Sequence, residues 1–132
     1  MKSFLQLKFI PVNPDLGLLV LRLWLGASMI ILHGLPKLKK IMKGDFNFSD
    51  HLHIGSKTTV ILATSVELLG SAFLILGFLG RPAALALAVA MGIAFGIWHE
   101  WNLRVGELAY VYLAGFITIF LAGTGKYGID RK

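Results

Sequence analysis

Residues 16–37 read LGLLVLRLWLGASMIILHGLPK, and the reading of this stretch decides the fold of the chain. It is long and apolar enough to cross a bilayer, for which about 20 residues are needed. Yet Arg22 lies well inside it, and His33 and Lys37 follow near its far end. In a helix, Arg22 and His33 stand about three turns apart on nearly the same face. Gly26, Met29 and Lys37 fall close to that line. A charge in hydrocarbon costs roughly 2.5–3.5 kcal/mol on insertion scales, so Arg22 needs a partner. The only acid inside any other apolar stretch is Glu67.

Working outward, four apolar runs approach or reach spanning length, at about 16–35, 59–79, 83–99 and 107–123. Tails at 1–15 and 124–132 flank them. Over 132 residues, 56% are hydrophobic and 15% charged, with a mean hydropathy of +0.74. A soluble domain of this size carries more charge and fewer long apolar runs. The expected fold is all-α, a polytopic membrane protein built as a four-transmembrane-helix bundle in the lipid bilayer. The net charge of +6 sits in short loops and tails, where it meets lipid headgroups rather than nucleic acid. With no cysteine, the chain carries no disulfide, thiolate metal site or dithiol chemistry. The basic start MKSFLQLKF raises a signal peptide. No small-residue cleavage site follows the first run, so its retention as a membrane helix is expected.

Taken in order, Asn13 or Asp15 is placed to cap the first span, and Gly34-Leu35-Pro36 marks its end or a kink. Lys37, Lys39, Lys40 and Lys43 alternate with Leu38, Ile41 and Met42. That pattern suits an amphipathic interfacial segment or a solvated connector. His51 and His53 form an H-x-H pair without carboxylate or cysteine support, too few ligands for a metal site. On the second helix Gly70 and Gly77 share a flank with Glu67. Gly80-Arg81-Pro82 is a tight turn into an antiparallel third helix. There Ala84, Ala88, Gly92 and Gly96 recur every four residues, a small-residue stripe that allows close helix packing within the bundle or in a homodimer. Trp98 and Trp101 read as interfacial anchors, and Tyr110 and Tyr112 open the fourth helix.

Four spans put both termini on one side with Arg81. That side holds Lys2, Lys8, Arg81, Lys126, Arg131 and Lys132; the other holds Lys37, Lys39, Lys40, Lys43, Lys57 and Arg104. The positive-inside count ties. Measured from the terminal side at the helical rise, Arg22 lies roughly 9 Å deep, Glu67 roughly 18 Å and His33 roughly 25 Å. A polar line Arg22–Glu67–His33 is geometrically allowed, with a tyrosine near its far end. One reading is a structural ion pair that fixes helix register, whose net stabilisation is near zero. The other is a proton path or a pocket for a small ligand such as a quinone headgroup. His33 as a haem ligand lacks a facing histidine at its depth, His99 excepted.

These residues resemble the DoxX family of small four-helix bacterial membrane proteins. The resemblance runs from Leu18 almost to the end. It rests on Leu21-Arg22-Leu23 with Gly26, on His33-Gly34 with Lys37, and on Val66-Glu67-Leu68 with Gly70. It continues through Leu76-Gly77, Arg81 with Ala83-Ala84, and Gly123-x-Gly125-x-x-x-Ile129-Asp130. Gly128 departs from the pattern, standing where the family tail more often has serine. The family is named for similarity to a quinone-linked thiosulfate-oxidising subunit. Some relatives belong to oxidative-stress or thiol-handling assemblies, and others look like membrane chaperones. The resemblance implies a bacterial inner-membrane protein with cytoplasmic termini, and it adds Lys37 to the candidate polar site of Arg22, His33 and Glu67. It further implies an accessory or quinone-interacting component of a membrane redox system, partnered by a membrane or soluble redox protein. The chain has no self-contained catalytic motif, so its enzymatic role is at most that of a subunit. A non-enzymatic scaffold or assembly factor is the competing class, and a small transporter the third.

Overall fold

The computed structural model describes residues 2–48, 50 and 52–130. The chain is all-helical, with no strand among the described residues. After a short α1 (Lys2–Leu5), α2 runs from Pro14 to Met42, α3 from Ser56 to Leu76, α4 from Gly80 to Ile93 and α5 from Glu107 to Ala122. Helices Pro14–Met42 and Ser56–Leu76 are long and apolar enough to cross a membrane. So is the span Gly80–Ile97, which is α4 with most of the π-helical turn Ala94–Trp98 that follows it. The fourth, Glu107–Ala122, is 16 residues, about 24 Å of helix against a hydrocarbon core of about 30 Å.

Asn13 starts α2: its Oδ1 accepts from Leu16 N at 3.0 Å, with Pro14 at the first helical position. The helix does not stop at Gly34-Leu35-Pro36. Proline has no N–H to donate to the preceding turn, and α2 absorbs it through a π-helical turn, Ile30–Gly34, before continuing as Leu35–Met42. Helix α3 has its own π turn at Val66–Gly70. Helix α4 packs most extensively on α5, and the Ser71–Leu76 end of α3 packs on α2. The core between them holds Met29, Leu74, Leu87, Met91, Phe116 and Ile119.

The α3–α4 turn shows how a helix end is completed in a greasy setting. Helix α3 ends because Gly77 takes the left-handed conformation (φ 69°), with Phe78 N bonding back to Phe73 O at 3.0 Å. A helix end leaves carbonyls without intrahelical donors, and here each finds one. Arg22 Nη1 donates to Leu74 O and Ile75 O, both at 3.0 Å. The C-terminal tail folds back so that Ile129 N reaches Leu76 O at 3.1 Å and Asp130 N reaches Gly77 O at 2.8 Å. The Asp130 carboxylate then caps the start of α4, accepting from Leu79 N and Gly80 N at 2.9 Å each. Leu79 is itself left-handed (φ 49°), a conformation that costs an L-residue about 1–2 kcal/mol and that these bonds offset.

Gly128 also has a local reason. A Cβ there would lie 2.8 Å from Thr124 Oγ1 and 3.1 Å from the Gly77 Cα, so a serine would need the tail to shift. The tail's dependence on Asp130 gives an expected outcome. Asp130→Ala removes a helix N-cap worth about 1–2 kcal/mol. It should lower the unfolding temperature in detergent and make the chain cleavable at Lys126 under limited trypsin, while Asp130→Asn retains part of both.

Candidate functional site

The four candidate residues do not form one line. Arg22 is fully buried, yet its partners are the carbonyls of Leu74 and Ile75 rather than Glu67. The reason is electrostatic as well as geometric. The C-terminal end of a helix carries a partial negative charge, and α3 ends beside Arg22. Asp130 adds a full charge from the tail. Arg22 therefore serves the terminal end of the bundle.

Glu67 is held instead by Lys37. Lys37 Nζ donates to Glu67 Oε1 at 2.7 Å and Oε2 at 2.8 Å. The side chains are 22% and 6% exposed respectively. Two local features make this pair. Because α2 continues through its π turn, Lys37 stays one helical turn beyond His33 on the same face. And α2 approaches α3 closely there: a Cβ on Gly34 would lie 2.5 Å from Leu68 Cδ2. π turns recur at functional positions because they displace a side chain from the regular helical register. Of the three among the described residues, that of α2 contains His33 and that of α3 contains Glu67.

His33 stands edge-on to Tyr112 of α5, with ring centroids 5.6 Å apart, and Tyr112 has Ser28 beside its hydroxyl. His33 Nε2 is buried and has no hydrogen-bond partner. Such an atom costs about 1–3 kcal/mol if left unsatisfied. Tyr110 is half exposed and packs on Phe95, so it takes no part.

His33, Lys37, Glu67, Tyr112 and His99 all line a cleft of about 710 Å³, within the range of small-molecule sites. Its other walls are apolar. On α3 they run along Leu62, Ala63 and Val66, and on α4 along Leu85, Ala86 and Val89. The cleft exists because α3 and α4 touch from their turn through Val66–Gly70, whereas Ser56–Ser65 packs on α2 instead. Gly70 seats Leu87 at that last contact.

The small-residue stripe of α4 divides. Ala84 and Ala88 are buried in the bundle. Gly92 has open space where a Cβ would stand, and Gly96 lies against the Trp101 ring, 2.8 Å from a would-be Cβ. The stripe is thus a helix-packing surface only over its first half. Trp101 is exposed and edge-on to Phe95; the Trp98 side chain lies outside the described residues. So does His51 of the H-x-H pair, and among the described residues no three His, Asp or Glu gather as a metal set. Asp50, in the loop before α3, is a structural acid. Desolvation works against its charge, but the N–H groups of Gly55 and Ile54 and the Thr59 hydroxyl outweigh it and hold its carboxyl below the usual range.

Helices of spanning length around a buried ion pair, with an apolar cleft opening from it, define a small membrane protein with an internal polar centre. The chain belongs to the DoxX family, whose profile matches residues 17–100. It is also 31% identical over 114 residues to an uncharacterized protein of Haemophilus influenzae, covering 80% of this chain and 83% of that one. No solved structure matches the chain.

The two members of the ion pair differ in what their loss leaves behind. Lys37→Leu strands the more deeply buried Glu67 and should cost about 3 kcal/mol, as broken buried pairs do. Glu67→Leu leaves a lysine whose stem can carry its charge toward the interface, and should cost less. The double substitution should regain most of the loss. Unfolding of the three variants in one detergent checks the order.

Proposed function

We propose that this protein is a four-span inner-membrane component of a membrane redox system, and that its cleft binds the headgroup of a quinone. In this reading α5 is the fourth span, the DoxX-like domain covers residues 16–123, and both termini lie in the cytoplasm. One observation carries the proposal: the unpartnered His33 Nε2, buried in a cleft whose other walls are largely apolar. A quinone offers carbonyl oxygens, and its quinol offers hydroxyls. Either complements an imidazole nitrogen, which can donate or accept. The volume suits a ring of that size, and the neutralised Lys37–Glu67 pair supplies a polar floor without net charge. The residues present fit such a group: His33 would hold one ring oxygen and Tyr112 would flank the ring. With no thiol of its own, the chain binds and positions the quinone. Electrons come from a membrane or soluble redox partner.

A scaffold or assembly role is the second reading. It is favoured by the Lys37–Glu67 pair, in which both carboxylate oxygens are satisfied, so that it would serve to hold α2 on α3. In that reading the open Gly92 is where a second copy would approach. Native mass spectrometry of mildly extracted protein separates the two. The quinone reading expects a co-purifying quinone that is reduced about tenfold or more in His33→Ala, the scale expected when a buried polar partner is lost, with unfolding temperature little changed. Wild-type protein free of quinone, or a His33→Ala variant that retains it fully, favours the scaffold.

A further inference from the structure

The cleft has a direction. Its polar residues gather at one end, where His33, Lys37, Glu67 and Tyr112 converge, and from there an apolar slot follows α4 back toward Pro82. Two rows of α4 side chains at four-residue spacing line the slot, Leu85 with Val89 and Pro82 with Ala86. From Pro82 to Ile93 the slot spans about 16 Å at the helical rise, roughly half the hydrocarbon thickness. The α3 wall runs about two turns, from Thr59 through Leu62 and Ala63 to Val66.

The slot is open to the side. Leu62, Leu85 and Val89, which line it, are 51%, 46% and 54% exposed, and they lie on helices long and apolar enough to cross the bilayer. Exposed apolar rims around a half-covered apolar floor face lipid, not water. A ligand reaching His33 along this path comes from the membrane phase.

The polar end also restricts what the ligand carries. Lys37 is the one Lys or Arg among the described lining residues, and both oxygens of Glu67 are bonded to its ammonium. The pair is therefore neutral as a unit, and among the described lining residues no lysine or arginine is free to meet a phosphate or carboxylate. Burying an unpaired anion there would cost several kcal/mol. The charged head of a phospholipid does not suit this end.

We infer that the ligand is an uncharged amphiphile that enters sideways between α3 and α4, its tail lying along α4 toward Pro82 and its head at His33. This rests on the quinone reading and adds to it the tail and the route. Small side chains make the slot, so a large one should close it. Ala86 is exposed on α4, where a tryptophan faces lipid and spares the core.

The test measures binding of menaquinone, which carries an isoprenoid tail, and of menadione, the same ring without one, to protein in phosphatidylcholine nanodiscs. In Ala86→Trp, menaquinone binding should weaken about tenfold or more, the scale of discrimination an apolar pocket gives. Menadione binding should stay within about twofold of wild type. Leu23→Trp, on the exposed face of α2, should change neither. Ala63→Leu, from the opposite wall, should repeat the effect in a second background. The inference is overturned if wild type binds the two quinones equally, or if Ala86→Trp leaves menaquinone unaffected; in either case the headgroup site at His33 stands. Failure of wild type to bind either quinone overturns both. Recovery of phospholipid alone from wild type, lost in Ala86→Trp, also overturns it.

Discussion

A carboxylate with little exposure keeps its charge only when hydrogen-bond donors or a cation answer it, and in this protein Glu67 has Lys37. The rest of the far half of the bundle follows from that requirement. Lys37 lies beyond Pro36, where a regular helix would break, so α2 must remain helical through the proline to deliver it. The π turn at Ile30–Gly34 does this, and Gly34 lets α2 come close enough to α3 for a lysine to reach a carboxylate on the facing π turn. Holding Ser56–Ser65 of α3 against α2 draws that segment away from α4, which opens the cleft. The ion pair and the cavity are two consequences of one packing choice.

The terminal half solves a different problem. Where α3 ends, its last carbonyls face a low-dielectric interior, and backbone groups in such surroundings must be bonded from within the protein. Arg22 and the folded-back tail supply the donors, and Asp130 closes the neighbouring helix start with the same few residues. Arg22 and Glu67 are thus both buried charges, but each is answered locally, one by a helix end and the other by a lysine.

Much of this was legible in the residues. The apolar runs gave the helices, and Asn13-Pro14 marked the first start. The order of Arg22, His33, Lys37, Glu67 and Asp130 carried the family resemblance. The pairing was not legible. Depth along ideal helices placed Arg22 below Glu67 with a gap that an ion pair seemed to fill. It took no account of helix-end carbonyls, which compete for an arginine and are absent from any count of acids. Nor does a sequence announce π turns, which move His33 and Glu67 off the regular register. The small-residue stripe misled over its second half for a related reason. Gly96 gives way to a tryptophan ring folding back from the following loop, a contact that periodicity within one helix does not encode.

The contrast between the two ends bears on which buried groups are there for the fold. Arg22 Nη1, Asp130 and the turn around Gly77 are bonded to satisfy the helix ends, while Arg22 Nε and Nη2 and Ser71 Oγ lie buried without a partner, away from the cleft. Tyr112 and His33 differ in lining the cleft. They touch each other edge-on beside the neutral Lys37–Glu67 pair, and the imidazole keeps a buried nitrogen with no partner. If the far end existed only to hold α2 on α3, the ion pair would suffice and an apolar side chain at position 33 would pack there without leaving a polar atom to satisfy. A nitrogen left open beside a cleft that the same packing creates is the feature a purely structural account does not require, and it is where a ligand from the membrane would be recognised.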